Sequence, residues 1–375
     1  MSVSLPYWQD RDPLDALLVA EAADKLGFDR LWIGEMATFD AFALATAIGQ
    51  APGRIPLCIG PLAVAVRSPA TIAMGVASVA ALTGRPVDIA LGTSSTVVVR
   101  DWHGRERQRT AVHLEESARI VRRLLDGEKA DFDGTVERIR GYRLRLPGLG
   151  AAQAESQVPS ASAAEQRLST ARSGAAQVSA TIQVDAGYPV VSLPAESATA
   201  VPRYELVVAA FGERALAAAA RTADRVVLNL VTPAQVARCT TAVKEFAAEA
   251  GRPAPAISVW VTAAADPSAE MLTTVRRGVV GYLRAPGYDA MFTEAGFGDV
   301  VRSAQAGGHP REVLAAVPDE LAATVGMFGD EATLAARLTA YRAAGADEIV
   351  VVPVTSAADP AAYRTLQTLA RIDHD

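Results

Sequence analysis

The sequence predicts a closed (β/α)8 barrel, a TIM barrel on a parallel sheet, and three observations lead there. One unit recurs, an amphipathic helix followed by a short Gly or Ala-Asp turn and a buried strand. It is written DKLGFDRLWIG at 24–34, AARTADRVVLNL at 219–230 and YRAAGADEIVVVPV at 341–354. Strands that alternate with covering helices lie parallel. Strand-like runs then count to eight, each followed by a helical pattern, which favours closure over an open doubly wound sheet in a chain of 375 residues. Finally, half of the residues are apolar, much of that alanine, and only 6% are aromatic, so the core is expected to rest on closely packed helices.

In chain order the strands are expected at 3–7, 30–34, 55–60, 87–91, 205–210, 225–230, 256–262 and 348–354. The first helix is read from Leu14, Leu17, Leu18 and Leu26 on one face, with Gly27 as its stop. Residues 132–146 read as a β-hairpin, with Asp133-Gly134 as the turn and Tyr142, Leu144 and Leu146 alternating. Residues 150–202 are rich in Ala, Ser and Gln and are too long for an ordinary connection. They read as an insertion of about 50 residues between helix 4 and strand 5 of one barrel domain spanning 1–375, rooted at the amino-terminal mouth. The segment contains a helical pattern at 161–176 and a strand-like piece at 188–193. The interval 267–331 has room for an extra helical lid before the last helix and strand.

Composition narrows the function. The formal net charge is −6 and no run of Lys or Arg stands out, which argues against nucleic acid as a partner. Cys58 and Cys239 lack metal-type spacing, and a reduced cytoplasmic protein fits them. The first residues carry no leader-like pattern, and no apolar run reaches the roughly 18 residues a membrane span needs.

The carboxyl ends of the expected strands gather Tyr7, Trp8, Glu35, Leu62, Ala63, Thr93, Ser94, Ser95, Phe211, Gly212, Asn229 and Thr262. This set holds one carboxylate, no Cys, and no His unless His103 folds back. A hydrolase needs a nucleophile with its base, and a metalloenzyme needs clustered ligands. Neither pattern is present, no metal is expected, and the mouth suits a bound cofactor that brings its own reactivity. Glu35 reads equally as a functional acid or as the partner of Arg67. Ala210-Phe211-Gly212 stands before a helix, where its backbone could receive a phosphate or simply form a tight turn. Trp8, with Tyr7, could wall a planar substrate. The apolar stretch 61–66 calls for a cover, either a ligand ring or a lid. His103, beside Trp102, is a proton-donor candidate or a structural residue.

The segments ADKLGFDRLWIGEMATFDAFALATAIG, GPLAVAVRSPATIAMGVASVAALTGR, VDIALGTSSTVVVRDWHGR and VAAFGERAL, followed by ADRVVLNLVTP, together resemble the luciferase-like monooxygenase superfamily. They are most similar to its actinobacterial branch of oxidoreductases that use the deazaflavin coenzyme F420. The resemblance implies a (β/α)8 barrel, usually a homodimer, with a ring held at the carboxyl-terminal mouth. It implies a non-proline cis peptide near Leu62-Ala63 supporting that ring. Thr93, with Ser94, would touch the ring's polar edge, and the backbone of Ala210, Phe211 and Gly212 would take the phosphate. The sugar-phosphate dehydrogenases of this superfamily carry Asp-His where this chain has Glu35-Met36, and Glu where it has Ser95. Sugar oxidation is therefore not expected.

The leading expectation is an F420-dependent oxidoreductase that moves a hydride between reduced deazaflavin and a small organic substrate. Glu35, Ser95 and His103 are its candidate catalytic residues, and Trp8, Arg67 and Asn229 its candidate substrate contacts. An FMN-dependent monooxygenase and a catalytically silent flavin-binding barrel are the alternatives.

Overall fold

The structure, a computed structural model, describes residues 1–6, 11–35, 37–146, 204–307 and 309–374. Eight parallel strands close into a barrel: β1 Ser2–Ser4, β2 Leu31–Ile33, β3 Leu57–Ala63, β4 Val87–Gly92, β5 Leu206–Ala209, β6 Arg225–Asn229, β7 Ala256–Ala265 and β8 Glu348–Pro353. Neighbours pair in sequence order, and closure comes from β8 on β1, with Ser2 opposite Val350. All eight expected strands are present. The first is shorter than expected, and Tyr7 and Trp8 lie outside the described residues. A further short strand, Met327–Gly329, pairs with the end of β7. It has no counterpart in the sequence reading because three residues carry no period.

The barrel interior is layered, and the carboxyl-terminal layers are apolar. Trp32 and Trp260 meet edge to face, with ring centroids 5.6 Å apart, among Cys58, Ala90, Val207 and Val350. Below them, at the amino end, sits a network of charges that the strand patterns do not announce. Arg30 pairs with Asp88 at 3.1 Å and with Glu205 at 3.0 Å. Arg225 pairs with Glu205 at 2.8 Å, and Glu348 accepts from Ser2 and Ser258. Buried charges persist only when paired and hydrogen-bonded, and these are.

Burial pushes the Asp88 carboxyl up to about 6 from its ordinary 3.8; Arg30 opposes this, and the nearby Glu205 and Glu348 add to it. The folded protein therefore holds this proton more tightly than the unfolded chain. The resulting stabilisation is complete below about pH 4 and is lost as pH rises through about 6, a difference on the order of 3 kcal/mol. Asp88→Asn is expected to flatten the stability profile between those pH values. Urea unfolding at several pH values checks this, and an unchanged slope would count against it.

The helices pack outside the barrel. In the first, Asp15–Lys25, the buried face is Val19, Ala20, Ala22 and Ala23, whereas Leu14, Leu17 and Leu18 are exposed. Three of the four leucines on the expected face thus point outward, and only Leu26, at the helix end, packs against the core; small residues form most of the contact because they let the helix approach the sheet closely.

The expected hairpin is present as Ala130–Asp133 against Arg138–Tyr142, so its loop lies at 134–137 rather than at Asp133-Gly134. Glu116 decides this. Its buried carboxylate accepts from the amides of Thr135, Val136 and Glu137 at 2.7–2.8 Å and so fixes the loop. Burial would raise this carboxyl, but the three amides outweigh it and hold it low.

The insertion at 150–202, with its helical and strand-like pieces, lies outside the described residues. The chain re-enters at Tyr204, whose hydroxyl bonds Asp126 at 2.7 Å at the C-terminal end of the helix Thr110–Leu125. That anchor lies at the amino-terminal mouth.

The expected helical lid is present between β7 and the helix Glu331–Ala343. Its helices include Ala269–Val280, Gly298–Gln305 and Asp319–Val325. They share a separate apolar core of Leu283, Phe292, Val301, Val317 and Leu321. Among the described residues no helix is long and apolar enough to cross a membrane.

Candidate functional site

The carboxyl-terminal mouth is floored by small residues from three neighbouring strands. At Gly92 an added Cβ would stand 3.1 Å from Pro61 Cβ and 3.6 Å from Ala209 Cβ. Pro61, Gly92 and Ala209 thus converge from β3, β4 and β5, and the close approach leaves no space for a side chain at Gly92. The register between β3 and β4 shifts between Ile59 and Leu62, so β3 runs on to Ala63, opposite Gly92.

The cis bond of this region is Gly60-Pro61, and not the expected non-proline bond at Leu62-Ala63. A prolyl tertiary amide has little bias against cis, which places the bond there. Leu62 and Val64 are buried in the main core, so protein covers these two, while Pro61, Ala63, Ala65 and Val66 stay half-buried. Leu62 therefore offers a ligand no side chain, while Ala63 lies half-buried at the strand end.

Glu35 follows β2 and is held by Arg67. The guanidinium Nε donates to Glu35 Oε2 at 2.9 Å, and Nη2 reaches both Glu35 and Asp40. Arg67 also lies over the Phe42 ring, 5.1 Å from its centroid. Burial works against Asp40's charge, but the Ala43 amide and Arg67 outweigh it and hold its carboxyl low. Of the two readings of Glu35, the structure shows the ion pair. A double-mutant cycle on Glu35→Gln and Arg67→Ala is expected to give a coupling of about 1–2 kcal/mol, since both side chains are about four-fifths buried. Additivity in thermal unfolding would show that the pair is loose.

The Gly-Thr-Ser-Ser loop after β4 is ordered from within. Arg107 Nε donates to the Ser94 carbonyl at 3.0 Å and Nη2 to Thr93 Oγ1 at 3.3 Å. Ser94 sits at φ +54°. Ser95 Oγ accepts from the Val98 amide at 3.2 Å and starts a π-helical turn, Val97–Trp102. His103 follows that turn, exposed, and no described side chain is placed as its partner. The sequence reading missed Arg107. It is a half-buried guanidinium with no carboxylate within 4.0 Å among the described residues, and burial lowers its proton affinity. No motif or spacing in the sequence marks it; only the folded loop brings it onto Thr93 and Ser94.

Beside this loop, β5 leads into the helix Glu213–Thr222. Its N-cap Gly212 makes no side-chain cap, and an added Cβ there would meet nothing within 4 Å. Ser68, Thr232, Ser268 and Asp330 each cap their helices with a side chain. The first amides of Glu213–Thr222 thus face open space, and the helix dipole favours an anion there. Ala210 is buried, and its amide donates to the Val227 carbonyl at 3.3 Å. Phe211 instead packs on Tyr288 of the lid, with centroids 4.5 Å apart. Asn229 donates to the Tyr288 hydroxyl at 3.2 Å, so this candidate substrate contact also ties the lid to β6. Burial pushes the Tyr282 and Tyr288 hydroxyls up, and both stay neutral.

Residues 8–348 match the luciferase-like monooxygenase family, and the chain belongs to it. Three solved structures share the fold. The coenzyme F420-dependent tetrahydromethanopterin reductase of Methanopyrus kandleri superposes with a TM-score of 0.71 at 15% identity, covering 100% of this chain and 98% of that one. An F420-dependent secondary alcohol dehydrogenase in complex with an F420–acetone adduct gives 0.68 at 15%, covering 99% and 98%. The oxygenating constituent of 3,6-diketocamphane monooxygenase from Pseudomonas putida, in complex with FMN, gives 0.62 at 17%, covering 99% and 97%. No curated protein sequence matches the chain.

Proposed function

We propose that this chain is an F420-dependent oxidoreductase transferring a hydride between the reduced deazaflavin and a small organic substrate. The observation that carries the reading is the pairing of a flat floor with an open anion site. Pro61, Gly92 and Ala209 form a close-packed floor of small residues under the ring, and the uncapped amides beyond Gly212 suit a phosphate. Bound deazaflavin supplies hydride-transfer chemistry, which needs little acid–base help from the protein. The residues fit that division of labour. Glu35 is tied to Arg67, Thr93 accepts from Arg107, and Ser95 caps a helical turn. Thr93 and Ser94 orient the ring's polar edge, while Phe211, Tyr282 and Tyr288 keep water out. The protein acts in the cytoplasm as a homodimer.

The family's monooxygenase description and the FMN-bound neighbour favour a second reading, an FMN-dependent monooxygenase on the same cradle. Absorbance titration of the purified chain with F420 and, separately, with FMN decides between them. Tighter binding of F420 is expected. Tight FMN binding with no affinity for F420 would overturn the first reading in favour of the second.

A further inference from the structure

Across the mouth from Thr93 and Gly212 lies a polar cavity of about 260 Å³. It opens between the chain leaving β8, the segment before the helix Asp15–Lys25, and the lid helix Ala269–Val280. Arg11, Glu270, Thr273, Thr274, Arg277, Thr355 and Ser356 are among the residues that line it. We propose that this cavity is the subsite for an anionic group of the substrate, a carboxylate or a phosphate. The assignment rests on the reaction taking place at the barrel mouth.

The charges support it. Arg277 is exposed and has no carboxylate within 4.0 Å among the described residues, whereas its neighbour Arg276 pairs with Asp319 at 3.1 Å. Arg11 binds Asp15 through Nε and Nη2, at 3.1 and 3.0 Å, which fixes the guanidinium in place. Among the described residues the charged side chains lining the cavity are Arg11, Arg277 and Glu270, and with Arg11 already paired to Asp15 the cation turned to a ligand is Arg277. One such guanidinium suits a single negative charge. Glu270, Thr273, Thr274 and Arg277 recur at helical spacing, so one face of Ala269–Val280 is turned to the cavity.

Ser356 adds a donor. Its Oγ accepts from the Asp359 amide at 3.1 Å, which leaves the hydroxyl proton for a ligand. A planar guanidinium with hydroxyls beside it is the usual recognition set for carboxylate or phosphate oxygens. The position also suits a substrate. Strands β7, β8 and β1 face β3, β4 and β5 across the barrel, so an anion held here leaves the rest of the molecule directed over the floor of Pro61, Gly92 and Ala209.

Calorimetric titration of the full chain with hexanoate, hexanamide and inorganic phosphate tests the proposal without coenzyme. Hexanoate or phosphate is expected to bind with a Kd of about 1 mM or tighter, and hexanamide not to bind. Arg277→Gln should weaken the anion about tenfold or more, Arg277→Lys should restore most of the loss, and coenzyme affinity in both variants should match wild type. Of the binding that Arg277→Gln removes, tighter hexanoate assigns a carboxylic acid substrate and tighter phosphate a phosphoryl one; binding that survives the substitution belongs to the helix end beyond Gly212. Failure of both anions to bind, or equal binding to Arg277→Gln, overturns the proposal. A parallel loss of coenzyme affinity also overturns it, because Arg277 would then belong to the coenzyme. Failure of the wild-type chain to bind either F420 or FMN would count against the proposed function alone.

Discussion

Gly60→Ala is expected to lower stability by about 4 kcal/mol or more, among the largest losses a single substitution produces. Two separate costs add. Gly60 has φ +120°, a region closed to residues with a Cβ. An added Cβ would also lie 2.2 Å from the Ala90 carbonyl oxygen and 2.7 Å from the Leu62 amide. Both are backbone atoms of the barrel wall, in strands whose register is fixed by Ile59 opposite Ile89 and Leu62 opposite Leu91. Neither can retreat without breaking the ladder. Gly27 is the control: it has φ +78° but no neighbour within 4 Å, so Gly27→Ala carries the backbone cost alone, about 1 kcal/mol. Thermal unfolding of both variants measures the difference. For a chain of this size 4 kcal/mol corresponds to a fall in Tm of roughly 5 °C. A Gly60→Ala protein melting with Gly27→Ala would show that the β3–β4 junction yields easily.

The eight strands were legible because each is a short apolar run between turn signals, repeated often enough to be counted. The helix faces were less so. Leucines at 14, 17 and 18 make a convincing apolar stripe, yet the sheet takes the alanines, since close approach to a packed surface favours small side chains. The amino-end network of Arg30, Asp88, Glu205, Arg225 and Glu348 was not visible, because a charge at a strand's edge reads as solvent-facing until the barrel closes around it. At the site, the positions of Glu35, Thr93, Ser95 and Gly212 followed from the strand ends. The Glu35–Arg67 pair was one of two readings open for Glu35, but the bond from Arg107 to Thr93, 14 residues away beyond a helical turn, was not foreseen. Leu62 carries the same lesson. Its place beside the floor was readable, but the shift of register that turns its side chain into the core was not.

Gly212→Asp should separate binding from folding more cleanly than any other change in the mouth. Gly212 has φ −82° and ψ 148°, a conformation open to every residue, and its side-chain space is empty. Aspartate is moreover a preferred N-cap, able to accept from the amides that glycine leaves free, so the helix Glu213–Thr222 should hold or gain a few tenths of a kcal/mol. The same carboxylate would occupy the place that the proposed function gives to the coenzyme phosphate. Two like charges about 5 Å apart at an effective dielectric near 20 repel by about 3 kcal/mol, so coenzyme affinity should fall roughly a hundredfold at low salt. Part of that loss should return as salt rises, since ions screen charges at an exposed helix end. Gly212→Ala, which adds bulk without charge, should stay within a few-fold of wild type. Absorbance titration at two ionic strengths, with a melting curve for each variant, reads all of these effects. Equal affinities for Gly212→Asp and Gly212→Ala would mean that the anion binds elsewhere, leaving Arg107, on the adjoining loop, as the cation to test next.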